Sequence, residues 1–296
     1  MRGGRIWRGM ELVRVSGSGV EVLRYAAFTS SPEGGNPAGV VLDAAGLSDG
    51  EMLRIAAEVG YSETAFLVAR GGGRFDVRYF SPLVEVPFCG HATIASAVAY
   101  ADRHGTGALV FDTAAGPVEV GTAVTDAGVV ATLTSVPPRV APVSAGALSE
   151  LLAALGWRPE DLDPALPPRV GYAGAFHPIV AAGSRARLAA LDYDFDRLAA
   201  LMASEGWTTV QLVWRADAAT FHARDPFPPG GVVEDPATGA AAAALGGYLR
   251  ELELVVTPAR LTVHQGQDMG RPGVLTVDVP AAGGVSVSGP AVVLGG

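Results

Sequence analysis

The chain has 296 residues, 49% of them hydrophobic and 17% charged, a length for about two ordinary domains and a balance that excludes disorder as the main state. A net charge of −9 without a basic stripe excludes nucleic acid and anionic membrane surfaces as partners, because both are gripped by arrays of Lys and Arg. The single cysteine, Cys89, excludes internal disulfides and any cysteine-based zinc site, and it fits a reducing, cytoplasmic setting.

Residues 1–19 read as a loose extension. They are basic but lack the apolar core of a secretory signal, clear strand patterning starts only near Val20, and Met10 is an alternative start. Nowhere does an apolar run reach the roughly 18 residues of a membrane span. Ser48 and Glu51 form a capping box, and Met52, Leu53, Ile55, Ala56 and Val59 follow at helical spacing up to Gly60. Thr64–Ala69 has the length of a strand. Gly71-Gly72-Gly73 is a hairpin turn into the alternating Phe75, Val77 and Tyr79. Tyr61, Ala65 and Phe66 are candidates for an apolar wall around Glu63.

Gly90 to Arg103 is a small-residue helix, followed by strands at Leu109–Asp112, Val118–Val120 and Val129–Thr134. Pro137-Pro138 reads as a linker. Helices are expected over Ser149–Leu155 and Phe195–Ser204, and strands near Pro178–Ala182, Thr208–Trp214 and Phe221–Ala223. Thr238 to Arg250 is a second small-residue helix, and strands and turns complete the chain.

The two small-residue helices align, Cys89-Gly90-His91-Ala92-Thr93 on Pro236-Ala237-Thr238-Gly239-Ala240, about half the chain apart, and each follows an acidic, proline-containing loop. This predicts a duplicated architecture in which each half wraps strands around one buried helix. Ala, Gly and Ser suit a helix that strands approach closely on all sides. Helix N-termini collect N–H groups and partial positive charge. If the halves are related by a pseudo-twofold axis, both N-termini can hold one small carboxylate; the plainer alternative is two ordinary helix starts.

Gly35-Asn36-Pro37-Ala38-Gly39-Val40, Ser62-Glu63-Thr64-Ala65-Phe66, Glu85-Val86-Pro87-Phe88-Cys89-Gly90-His91-Ala92-Thr93, Glu234-Asp235-Pro236-Ala237-Thr238-Gly239 and Gln265-Gly266 with Gly270-Arg271-Pro272-Gly273 occur in that order. With them the chain resembles the PhzF family of phenazine-biosynthesis-like isomerases, from about Val22 to the C-terminus. The resemblance implies an α+β fold of the diaminopimelate epimerase type, with two pseudo-symmetric domains each wrapping β-strands around a central α-helix. These are expected over 20–135 and 139–282, with the strand from about 283–296 returning to the first. It also implies a cofactor-free, metal-free homodimer that isomerises a small carboxylate such as trans-2,3-dihydro-3-hydroxyanthranilate.

The same resemblance makes Glu63 the acid/base. Physical chemistry agrees, since a carboxyl group in a closed apolar cleft has a raised pKa and can take and return a proton near neutrality. His91 and Asp235 complete the implied reacting centre. Histidine and aspartate at such positions also serve as a satisfied core group and as a helix cap. Asn36 is implied to face the substrate, and Gly90, Ala92, Thr238, Gly239 and Ala240 to line its binding site. Many relatives carry Ser where this chain has Ala240, so a donor to the substrate carboxylate is missing here. Two-thiol racemases of the same fold place a cysteine before each central helix. Cys89 matches the first position, but Pro236 occupies the second and cannot carry a proton. Cys89 therefore reads as a small buried residue. A racemase or epimerase using Cys89, and a non-catalytic small-molecule-binding protein, are the rival readings. His104, His177, His222 and His264 show no metal-ligand spacing and read as surface or strand residues, and Arg271 as part of a constrained turn.

Overall fold

The computed structural model describes residues 13–14 and 19–295. Most of the expected N-terminal extension, Met10 included, lies outside them. Within it, Val13–Arg14 forms a short strand antiparallel to Glu21–Val22. The chain forms two compact units. Among the described residues, the first comprises 13–14, 19–32, 37–131 and 290–295, the second 33–36 and 132–289. No helix among the described residues is long and apolar enough to cross a membrane.

In the first unit, helix α1 (Asp49–Val59) starts at Ser48, whose hydroxyl accepts from Glu51 N while the Glu51 carboxylate accepts from Ser48 N at 2.8 Å. Gly60 ends it with φ +73°, a left-handed conformation that suits a residue without Cβ. The strand ending at Val41 runs parallel to Glu63–Gly71, with Ala38 opposite Glu63. Glu63–Gly71 pairs antiparallel with Arg74–Phe80, which in turn runs parallel to Ala108–Thr113. Helix α2 (Gly90–His104) links these last two strands, and its residues from His91 to Ala99 are all buried. At the C-terminus, Ala291–Val293 pairs antiparallel with Tyr25–Ala27.

The second unit repeats this order. Phe176–Ala181 runs parallel to Gln211–Arg215, which is antiparallel to Thr220–Phe227, which is parallel to Ala259–Gln265. Helices α3 (Ala145–Leu155), α4 (Arg185–Ala189) and α5 (Phe195–Glu205) pack on one face around Leu151, Leu155, Leu198 and Met202. Helix α6 (Gly239–Glu251) takes the place that α2 has in the first unit. A Cβ at Gly246 would lie 3.0 Å from Val279 and Val285, and one at Gly247 would collide with Pro138. The small residues thus let the surrounding chain approach the helix backbone. In the duplicated order, Glu63 opens the second strand of its parallel pair, and Gln211 opens the corresponding strand of the second unit.

The structure corrects several boundaries. Helix α3 starts at Ala145 and not at Ser149, because the Ser144 hydroxyl caps it by accepting from Ala147 N at 3.1 Å. Helix α4, capped by Ser184, was not expected. The strand expected from Thr208 begins at Gln211, and the one expected over Phe221–Ala223 runs from Thr220 to Phe227.

Candidate active site

In the first unit, Glu63 stands at the first position of its strand with only 8% of its surface exposed. Alternation along that strand puts Ala65 and Leu67 on its side and Phe66 on the other. Phe66 packs instead with Ile55, Ala56 and Phe80, so it is no wall for Glu63 as the sequence had suggested. The preceding Ser62 and helix α2 supply the polar neighbours. His91 Nε2 lies 3.4 Å from Glu63 Oε2 and 3.4 Å from Ser62 Oγ. Cys89 Sγ lies 3.3 Å from His91 Nδ1. Burial pushes the Glu63 carboxyl above the usual carboxylate range, opposed by hydrogen bonds from the Ser62 and Cys89 side chains. The group is thus poised to exchange a proton nearer neutrality than a solvent-exposed glutamate.

Cys89 is the N-cap of α2, in extended conformation and without a side-chain capping bond. The first intrahelical bond is Thr93 N to Cys89 O at 3.0 Å, reinforced by Thr93 Oγ1 donating to the same carbonyl at 2.7 Å. The N–H groups of Gly90 and Ala92 precede that bond at the start of the helix. The α6 start is built alike, with Ala242 N donating to Thr238 O at 3.0 Å, so Gly239 and Ala240 N–H also precede the first intrahelical bond.

In the second unit, Asp235 ends the strand Val232–Asp235 and is 6% exposed. Asn36 Nδ2 donates to Asp235 Oδ1 at 2.7 Å and to Ala237 O at 3.1 Å. Thr238 Oγ1 donates to Asp235 Oδ2 at 2.6 Å. Gln265 Nε2 donates to Asp235 O at 2.8 Å and Thr238 Oγ1 at 3.0 Å, while its Oε1 accepts from Thr238 N at 3.0 Å. The structure therefore brings Asn36, Asp235 and Thr238 into one network, and it commits the Asn36 amide nitrogen to bracing Asp235. Arg271 latches the Asn36 loop, donating through Nε to Gly35 O at 2.9 Å and through a terminal nitrogen to Gly34 O at 2.6 Å. Glu234 is held by Arg224 in a buried ion pair at 2.5 Å.

Behind Asp235 lies a layer that sequence reasoning missed. Asp225 is fully buried opposite Asp235 in the strand register. With its amide turned nitrogen-first, Gln211 donates to both Asp225 oxygens at 2.8 Å. Thr209 Oγ1 donates to Asp225 at 3.3 Å and contacts His177 Nδ1 at 2.9 Å. Burial, and then the charge of Asp235, hold the Asp225 carboxyl well above its usual range. Burial pushes His177 down to about 4. Of the two readings left open for it, surface or strand, His177 takes the second, buried within Phe176–Ala181. A signal for Asp225 was present in the alternation Phe221, Ala223, Asp225, which places it on the buried side. Of the other histidines, His222 and His264 stack with ring centroids 5.1 Å apart, and His104 packs against Tyr100.

Comparison with known proteins is consistent across sequence and structure. The model of the "Phenazine biosynthesis-like protein" family matches residues 25–295. An uncharacterized isomerase, YfhB of Bacillus subtilis, is 33% identical over 92% of this chain and 96% of its own. The trans-2,3-dihydro-3-hydroxyanthranilate isomerase of Pseudomonas chlororaphis is 32% identical over 84% of this chain and 86% of its own. The crystal structure of a PhzF-family phenazine biosynthesis protein from Bacillus anthracis superposes with a TM-score of 0.84 at 28% identity, covering 93% of this chain and 97% of that one. A probable proline racemase from Agrobacterium radiobacter shares the fold at 15% identity and a TM-score of 0.64, over 93% and 91% of the two chains.

Proposed function

The chain belongs to the phenazine biosynthesis-like protein family, and from that membership and the geometry around Glu63 we propose that it is an isomerase relying on one carboxyl group to move a proton. Its substrate is a small carboxylate with an activated C–H bond. Glu63 takes the proton from one carbon and returns it to another, and His91, at 3.4 Å, stabilises the carboxyl group in both protonation states. Asp235, braced by Asn36 and Thr238, is assigned a hydroxyl or amine of the substrate. Gly90, Ala92, Gly239 and Ala240 offer backbone N–H groups at helix starts, the chemistry suited to an anionic oxygen.

The observation that carries this reading is the buried Glu63 carboxyl with its raised pKa. The same cluster disfavours a racemase with Glu63 and Cys89 on opposite faces of one carbon. Two bases in that arrangement stand roughly 6–7 Å apart, about 3–3.5 Å from the carbon on each side. Here the Glu63, Cys89 and His91 donor atoms all lie within 4.8 Å of one another.

The relative from Pseudomonas chlororaphis supplies the first compound to try, trans-2,3-dihydro-3-hydroxyanthranilate. In heavy water the protein should isomerise it, or another small carboxylate in a screen, with deuterium appearing at a new carbon. Ala240 predicts weaker affinity for the carboxylate than a serine at that position would give. Turnover that demands an added redox cofactor would refute the proposal.

A further inference from the structure

Glu63, Cys89 and His91 offer a carboxylate oxygen, a sulfur and a ring nitrogen, all buried and all within 4.8 Å of one another. Taken through one nitrogen, the spacing is tighter: His91 Nε2 lies 3.8 Å from Cys89 Sγ and 3.4 Å from Glu63 Oε2. A tetrahedral zinc ion, with Zn–S about 2.3 Å and Zn–N or Zn–O about 2.0–2.2 Å, sets neighbouring donors roughly 3.3–3.6 Å apart. His91 Nε2 thus stands within a few tenths of an ångström of those spacings from each of the other two donors, and rotation of the three side chains brings them around one ion. The expectation that a single cysteine excludes any cysteine-based zinc site is corrected here: it holds for sites made of thiolates alone, and the structure gathers a mixed set of thiolate, imidazole and carboxylate. Three protein ligands with a fourth position open is the pattern of zinc sites accessible to small molecules. The sulfur and nitrogen donors also set the metal class, because Mg²⁺ and Ca²⁺ take oxygen shells.

We propose that Glu63, Cys89 and His91 form a binding site for zinc or a similar thiophilic divalent cation, and that the ion is an inhibitor. Binding displaces the thiol proton to solvent and ties up the Glu63 carboxylate, so a seated ion and a proton-accepting Glu63 exclude one another. The inhibition rests on the role proposed above for Glu63; the binding does not.

The test uses the full chain and Co²⁺ as a spectroscopic probe, followed by Zn²⁺. One Co²⁺ per chain should bind with a near-ultraviolet thiolate charge-transfer band, which Zn²⁺ displaces. Cys89→Ala should abolish the band and weaken Zn²⁺ binding at least tenfold. X-ray absorption of the zinc-loaded wild type should show one sulfur in the metal shell, a reading that does not depend on how any variant folds. Absence of stoichiometric binding at micromolar metal, a shell without sulfur, or unchanged affinity in a folded Cys89→Ala would overturn the site. Zinc bound through sulfur while turnover continues would leave the site standing and would remove Glu63 as the base.

Discussion

Lowering the pH should loosen the second unit through His177. The folded histidine takes up a proton only near 4, because burial disfavours the imidazolium; the unfolded one takes it up near 6.5. Between those values the unfolded chain binds more protons. Stability is therefore complete above about 6.5 and falls as the pH drops towards 4. The shift from 6.5 to about 4 corresponds to about 3 kcal/mol in full, of which about 2 kcal/mol is lost between pH 7 and pH 5. Glu63 and Asp225 have raised carboxyl pKa values and act in the opposite direction. The readout is consequently a difference between wild type and His177→Asn, which keeps a donor near the Nδ1 position facing Thr209. Urea unfolding at pH 7 and pH 5 should show the wild type losing about 2 kcal/mol more than the variant, or roughly 1 M in midpoint for a typical slope. Equal losses in the two proteins would refute a buried neutral His177.

The Asp235 network yields three more expectations. Asp225→Asn removes a buried carboxyl whose raised pKa penalises the folded state as pH rises above the usual carboxylate range. The variant should gain stability over the wild type at pH 8 relative to pH 4 in the same unfolding assay. Arg271→Lys cannot hold both the Gly34 and Gly35 carbonyls as the guanidinium does. Loosening Asn36 in this way should raise KM about tenfold, the equivalent of one hydrogen bond of about 1.4 kcal/mol, with kcat much less affected. Gly266→Ala places a Cβ at φ +79° against Arg271 O and 2.7 Å from Pro236 O. It should cost about 1–3 kcal/mol in thermal or urea unfolding and weaken the binding that depends on the neighbouring Gln265.

What the sequence revealed about the fold was mostly local. The Ser48–Glu51 box, the Gly60 cap and the two small-residue helices are short-range patterns, and each is realised in the structure. The start of α3 was hidden because Ala145-Gly146 reads as loop until Ser144 is seen to cap it. Asp225 was hidden by its neighbours, since Arg-Asp-Pro suggests an exposed turn while the strand continues through it to Phe227. Phe66 was misplaced by reading chain proximity in place of strand alternation. The contact between Asn36 and Asp235 joins residues 199 apart; motifs single out each of them, but no local pattern says that one braces the other.

The most direct test of the central claim compares Glu63→Gln with the wild type for exchange of the reacting substrate hydrogen with heavy water. Deuterium should appear on carbon with the wild type, at a rate at least about 100-fold lower in a folded variant. Exchange by Glu63→Gln at the wild-type rate would contradict that claim and move the proton transfer to another group.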